Sequence, residues 1–272
     1  MKIDNNPTKD FCGLHFVYLE DDIILQKKFY KEYQFTFDSF LTEEQMKELL
    51  NGQVVSDWYS EKQYDYTAFY LEKDCPLKKD FIRVPVREIF WDCQSDEKLV
   101  ALIARGLSLL KQRETLRYCP TCGGKLVTDN EFVAKKCSIC QRQFFPRIEP
   151  AIIVLVKKGE KILLVKAKNR KREVFSCISG YVEAGENLEQ CVVREVKEET
   201  GITVKNVQYV SSQYWPYPDQ LMMAFTAEYQ EGKIQVQEEE LFDAQWCNIY
   251  SLPEIPRKGS VAYNLITKYS KK

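Results

Sequence analysis

The stretch Gly180-Tyr181-Val182-Glu183-Ala184-Gly185-Glu186-Asn187-Leu188-Glu189-Gln190-Cys191-Val192-Val193-Arg194-Glu195-Val196-Lys197-Glu198-Glu199-Thr200-Gly201-Ile202 decides the reading of this chain. Its second half predicts a helix that starts at Asn187 or Leu188 and stops at Gly201, a residue suited to a left-handed cap. Glu195 lies three residues before Glu198 and four before Glu199, so the three carboxylates share one helical face. Leu188, Val192 and Val196 form a second stripe that can pack into a core. Carboxylates so spaced repel one another. A chain tolerates them where the face is simply solvated, or where a cation sits among them. Hard divalent ions take oxygen ligands and share them with substrate phosphates. Gly180 and Gly185 let backbone approach the same ion.

Working outward, Ala151–Val156 and Lys161–Ala167 read as a hairpin turning at Lys158-Gly159-Glu160. The span 180–201 reads as a loop and a helix. Strands follow at 204–214 and 220–229, and Val261–Tyr269 closes as a helix. Upstream stand two cysteine pairs, Cys119-Pro120-Thr121-Cys122 and Cys137-Ser138-Ile139-Cys140, fourteen residues apart. A two-residue spacer aims both thiolates of a knuckle at one ion, so the four predict a tetrahedral structural Zn(II) site with no open position for catalysis. The alternative, a redox pair, would occur once and at a strand-to-helix junction. Six further cysteines (Cys12, Cys75, Cys93, Cys177, Cys191, Cys247) are scattered, and are expected as small buried residues in a reducing compartment.

Residues 95–113 predict an amphipathic helix with Ser95 as N-cap and Leu99, Leu102, Ile103, Leu107 and Leu110 on one face. The aromatic-rich N-terminal third predicts strands at Leu14–Leu19, Tyr33–Phe37, Tyr64–Leu71 and Phe81–Phe90. One helix interrupts them, opened by a capping box at Thr42 and Gln45. The expected organisation is an N-terminal α+β domain over 1–94, a linker helix over 95–117, a zinc ribbon over 118–147 and a final domain over 148–272.

The decisive stretch matches G-x5-E-x7-R-E-U-x-E-E-x-G-U, with U aliphatic, at all nine defined positions. It is identified as the Nudix box, and the chain resembles the Nudix hydrolases. That resemblance implies an α/β/α sandwich and metal-dependent hydrolysis of a nucleoside diphosphate joined to another group. It makes Glu195, Glu198 and Glu199, with the Gly180 carbonyl, ligands of Mg(II) or Mn(II). It pairs Glu186 with Arg194 as a brace. The general base varies in this family; Glu198 is favoured, with Glu240 as an outer candidate that also stands near the metal.

Downstream, Ser212-Gln213-Tyr214-Trp215-Pro216-Tyr217-Pro218 resembles the S-Q-P-W-P-F-P array of the NADH pyrophosphatase branch, with Tyr214 and Tyr217 as departures. Two prolines fix the backbone, so Trp215 and Tyr217 present flat rings at low entropic cost. Taken alone, such a cluster also fits a packed core turn. By resemblance, Phe145 and Tyr181 flank the nicotinamide from different subunits of a homodimer. Gln213, Trp215 and Tyr217 also face substrate, and Ala262 lines the adenine end. The expected reaction cuts NADH or NAD+ into nicotinamide mononucleotide and AMP, and removes NAD caps from RNA. The alternatives are a Nudix hydrolase of ADP-ribose or another nucleotide sugar, and a silent nucleotide sensor or zinc-ribbon binding module, which would carry a broken box.

Composition sets the bounds. The 272 residues have a net charge of -1, which argues against a global electrostatic grip on nucleic acid. A basic run, Lys166, Lys168, Arg170, Lys171 and Arg172, reads either as a solvated loop or as a phosphate or RNA contact. No apolar run approaches a membrane span. The opening residues show no signal-peptide pattern, so a cytoplasmic location is expected.

Overall fold

The computed structural model describes residues 13–30, 35, 40–51, 53, 55–61, 66–92, 97–129, 131–168, 174–217 and 219–270. The chain divides into two compact units, Met1–Arg147 and Ile148–Lys272. Among the described residues no helix is long and apolar enough to cross a membrane.

The first unit is built on β1 (Leu14–Leu19), β2 (Asp22–Gln26), α1 (Glu43–Leu50), β3 (Val55–Glu61), β4 (Tyr66–Leu71), β5 (Phe81–Pro85), α2 (Val86–Asp92) and α3 (Glu97–Thr115). The sheet order is β3-β4-β1-β2-β5, with β1 parallel to β4. Both arms of the Thr42–Gln45 capping box are present. Leu99, Ile103, Leu107 and Leu110 of α3 are buried, and Leu102 is half-buried. Tyr18 Oη donates to the Ile103 carbonyl at 2.7 Å. A Cβ on Gly106 would come within 2.9 Å of that hydroxyl, so glycine is what lets α3 lie this close to β1.

Several expectations need correction here or fall outside what is described. The strand expected over Phe81–Phe90 ends at Pro85 and becomes α2. Proline has no N–H to continue a ladder, and the buried Val86 and Ile89 stand three apart, a helical spacing hidden among strand-forming residues. Of the strand expected at Tyr33–Phe37 only Phe35 is described, and it lies outside any strand; Ser95, Cys12 and Cys93 are also outside the described residues. Cys177, Cys191 and Cys247 are buried as expected, while Cys75 is half-buried, with its Sγ 2.6 Å from Gln53 Oε1.

After α3 come three short antiparallel strands, β6 (Leu126–Thr128), β7 (Lys135–Cys137) and β8 (Gln143–Phe144). Their small apolar cluster is Cys119, Leu126 and Cys137, with Leu116 and Phe144 alongside. Lys135 Nζ donates to the Arg113 and Leu116 carbonyls at the end of α3. Arg113 forks onto Asp57 of β3 and reaches Thr128 of β6.

The second unit contains β9 (Glu149–Lys158), β10 (Lys161–Ala167), β11 (Ile178–Tyr181), α4 (Leu188–Thr200), β12 (Thr203–Trp215), β13 (Gln220–Glu231), β14 (Leu241–Asn248) and α5 (Val261–Tyr269). The sheet runs β12-β13-β9-β10-β14, and β11 pairs with β9. Along β9, Ile152, Val154 and Val156 enter the core under α4, whereas Ala151, Ile153 and Leu155 enter the core under α5. Both faces are covered, so β9 reads as one apolar run rather than an alternation. This is the α/β/α sandwich. The reading of 180–201 as loop and helix needs one correction: residues 178–181 are a strand. Four residues including a glycine carry no period of their own, and pairing Gly180 with Ile152 makes them a strand.

Candidate active site

α4 is fixed at both ends by its own sequence. Asn187 accepts from the Gln190 N–H while Gln190 returns a bond to the Asn187 N–H, and Gly201 caps the far end at φ 69°. Cys191, Val192 and Val196 are fully buried, which sets the rotation of the helix. That rotation turns Glu195 and Glu199 inward, 8% and 5% exposed, and leaves the Glu198 side chain 53% exposed.

Gly180 faces Glu195. A Cβ at position 180 would fall 1.9 Å from the Glu195 carboxyl carbon. The carboxylate therefore occupies the volume a side chain would take, beside the β11 backbone.

Arg194 organises the rest. Its Nε and Nη2 grip the two Glu186 oxygens at 2.9 and 2.6 Å. Nη2 also donates to the Tyr181 carbonyl at 2.9 Å, and Nη1 to Glu195 at 2.9 Å and Glu198 at 3.0 Å. The guanidinium holds the Glu186 carboxyl down to about 2, with the Glu183 amide helping. Burial pushes the Glu195 carboxyl above its ordinary range despite Arg194, and the Glu198 and Glu240 carboxylates push it the same way. Burial, then Glu186, drive the Cys191 thiol up to about 12, so it stays protonated and is no nucleophile.

Glu240 arrives from a distant part of the chain. The Gln235 and Gln237 amides donate to the Thr200 and Glu199 carbonyls at the end of α4, at 2.8 and 3.0 Å. A turn from Gln237 to Leu241 and a bond from the Lys168 amide to the Glu240 carbonyl then fix residue 240. Gly180, Glu186, Arg194, Glu195, Glu198, Glu199 and Glu240 thus belong to one neighbourhood.

The outer residues divide. Tyr181 is 45% exposed, and its Oη accepts from Gln220 Nε2 at 2.5 Å. Trp215 and Tyr217 meet edge to face at 5.7 Å. Gln213 spends its amide on backbone, donating to the Gly259 carbonyl at 2.9 Å and accepting from the Val261 amide at 2.8 Å. It staples the start of α5, where Ala262 is buried among the residues that Trp215 packs against. Phe145 belongs to the other unit, exposed and edge-on to Phe132. Of the basic run, Arg170, Lys171 and Arg172 lie outside the described residues; Lys168 Nζ reaches the Glu238 carbonyl. Gln220, from the Asp219-Gln220-Leu221-Met222 segment that follows the aromatic array, pairs with Trp215 in the β12–β13 hairpin.

In the first unit the thiols of Cys119, Cys122, Cys137 and Cys140 lie within 4.8 Å of one another, the only such group of metal-ligating side chains among the described residues. Burial opposes ionisation of Cys119 and Cys137, but backbone amides aimed at their sulfurs lower both. Gly124 has no room for a Cβ beside Cys137 Sγ, 2.9 Å away. Four soft donors at one point fit a structural zinc ion.

The family profile for the NUDIX domain matches residues 146–269. A protein named NAD-capped RNA hydrolase NudC from Photobacterium profundum is 42% identical over 203 residues, 74% of each chain. The chain belongs to the Nudix hydrolases, in the branch of the NAD-capped RNA hydrolases. Its likeness extends to proteins of the same name from two further bacteria. The one from Pectobacterium carotovorum is 43% identical over 171 residues, 63% of this chain and 66% of that one. The one from Pseudomonas aeruginosa is 36% identical over 222 residues, 81% of this chain and 77% of that one. Within this Nudix chain the oxygen donors suit a hard divalent ion: Arg194 Nη1 joins the Glu195 and Glu198 carboxylates, and Glu195 is buried and lodged against bare backbone at Gly180.

Proposed function

We propose that this Nudix chain hydrolyses the pyrophosphate of NADH and NAD+ to nicotinamide mononucleotide and AMP, and removes the NAD cap from RNA 5′ ends, leaving a 5′-monophosphate. The observation that carries the reading is the complete Nudix box, folded with Glu195 against Gly180, in a chain 42% identical to an NAD-capped RNA hydrolase.

Glu195, Glu198, Glu199, Glu240 and the Gly180 carbonyl are the groups to hold Mg(II) or Mn(II). Such an ion supplies charge neutralisation on the pyrophosphate and a lowered pKa for a water bound to it. The chain's own residues do the remainder. Glu198, exposed at the rim of the cluster, is placed to take the proton of the attacking water. Arg194 and Glu186 keep α4 and the loop before it in register. Trp215, Tyr217 and Tyr181 offer ring faces to the bases, with Phe145 supplied by the partner of a homodimer. Gln213 acts by holding α5, and so Ala262, at the adenine end. The four cysteines keep a zinc ion, and the enzyme works in the cytoplasm.

The test is chromatography of products from NADH, NAD+, ADP-ribose and NAD-capped RNA with Mg(II) or Mn(II), beside sedimentation for the dimer. Mononucleotide and AMP from NAD(H), formed faster than products from ADP-ribose, are expected. A preference for ADP-ribose overturns the substrate assignment.

A further inference from the structure

The ribbon in the first unit has a second face that the zinc site does not use. Residues paired across an antiparallel ladder share a face, and so do residues two apart on one strand. Tyr118 bridges to Lys125, Val127 pairs with Lys136, and Lys136 pairs with Gln143. Lys125 and Val127 are two apart. Tyr118, Lys125, Val127, Lys136 and Gln143 therefore line one open side of the small sheet, opposite the buried Leu126 and Cys137. Tyr118 is 67% exposed, one of the most open large side chains described.

The charge is equally uneven. Residues 117–147 hold six Lys or Arg against two Asp or Glu, a net +4, while the rest of the chain is -5. Asp129 of the ribbon is buried, accepts from Gln143 and from the Glu131 and Phe132 amides, and also feels the charge of Lys136. Lysines alternate with apolar positions, so the face offers no continuous apolar patch to a protein. It offers a ring and two cations on a rigid sheet, the combination that binds single-stranded nucleic acid: bases stack on the ring and phosphates meet the cations.

We propose that this open ribbon face binds the single-stranded RNA body of a capped substrate, with a base on Tyr118 and backbone phosphates on Lys125 and Lys136. The inference rests on the RNA reading above and adds a second RNA contact, outside the Nudix domain. It gives the ribbon a function beyond holding zinc.

The full-length, zinc-loaded chain is tested with a fluorescent 5′-monophosphate single-stranded RNA of about twenty nucleotides, by anisotropy. Rates on NADH and on the same RNA carrying an NAD cap are read beside it. Tyr118→Ala is expected to weaken RNA binding about tenfold, the scale of one lost stack. The double variant Lys125→Gln, Lys136→Gln should reduce the salt slope of binding by about 1.4, at about 0.7 per phosphate on a single strand. kcat/KM on capped RNA falls accordingly, while kcat/KM on NADH and the zinc content stay at wild-type values. Tyr118 and Lys125 are exposed and Lys136 is half-buried, and misfolding of the ribbon would show as lost zinc. RNA binding and salt slope unchanged in these variants overturn the proposal. So does a shift from dimer to monomer in the variants, which would make the face an interface between copies. If wild type hydrolyses NADH but leaves capped RNA intact and does not bind the strand, the RNA reading fails as well; if wild type cleaves capped RNA and the variants match it, only this inference fails.

Discussion

At Gly180 a single methyl group is enough to disturb the site. Its φ lies outside the left-handed region, so alanine fits the backbone, and the nearest atoms a Cβ would meet are those of the Glu195 carboxylate. Gly180→Ala is expected to leave the melting temperature near wild type, with activity or divalent-ion affinity down about 10–100-fold, the usual cost of disturbing a ligand's support. A metal titration of activity checks it. Glu198→Gln keeps shape and helix preference while removing the proposed base, so kcat should fall by about 10²–10⁴; near-normal turnover by a folded variant would remove Glu198 from the mechanism. Glu186 acts differently. Its carboxyl is held at about 2 against an ordinary 4.5, a lowered value. A lowered carboxyl stabilises the fold above the unfolded value and loses that contribution as pH falls through the folded one. Wild type should therefore exceed Glu186→Gln in urea midpoint most above about pH 5, with the gap closing between pH 4.5 and 2. A gap independent of pH would mean the pair acts by packing alone.

Elements differ in how much of themselves they wrote into the sequence. α4 was legible throughout because its start, its stop and its buried stripe are all local: Asn187 with Gln190, Gly201, and Val192 with Val196. α5 and the β9–β10 hairpin were legible for the same reason. β11 was not, because a four-residue strand with a glycine exists only through its partner β9. α2 was hidden by strand-favouring Val and Ile residues whose burial comes from tertiary packing. The carboxylates of α4 could be read from spacing, yet the two amide bonds that bring Glu240 beside them span some forty residues and leave no local trace. Gln213 shows the same limit: its motif was visible, and its bonds to Gly259 and Val261 were not. The ribbon needed only cysteine spacing. Its apolar interior is small, so an ion bound by the four thiols would add to its folding energy. We expect about one zinc per chain. Cys137→Ser should lose that zinc and melt in two stages, ribbon first, seen as earlier hydrogen exchange over 118–147 than over β9.

For the whole molecule, a net charge of -1 limits how RNA is held. Strong electrostatic binders neutralise many phosphates and lose affinity steeply with salt. Here specificity must come from the dinucleotide, which the Nudix domain is proposed to bind whether or not a strand follows. The strand adds a few contacts. With two phosphates engaged and about 0.7 per phosphate, raising salt from about 50 to 200 mM should lower kcat/KM on capped RNA about sevenfold. Hydrolysis of NADH carries no strand term and should change by less than about twofold over the same range. NADH should also compete with capped RNA, since both would place the same pyrophosphate at the proposed Glu195, Glu198 and Glu199 site. A loss on capped RNA of a thousandfold or more would require a broad cationic track well beyond the two proposed phosphate contacts. Equal salt dependence for the two substrates would instead place all recognition in the cap and leave the strand untouched by the protein.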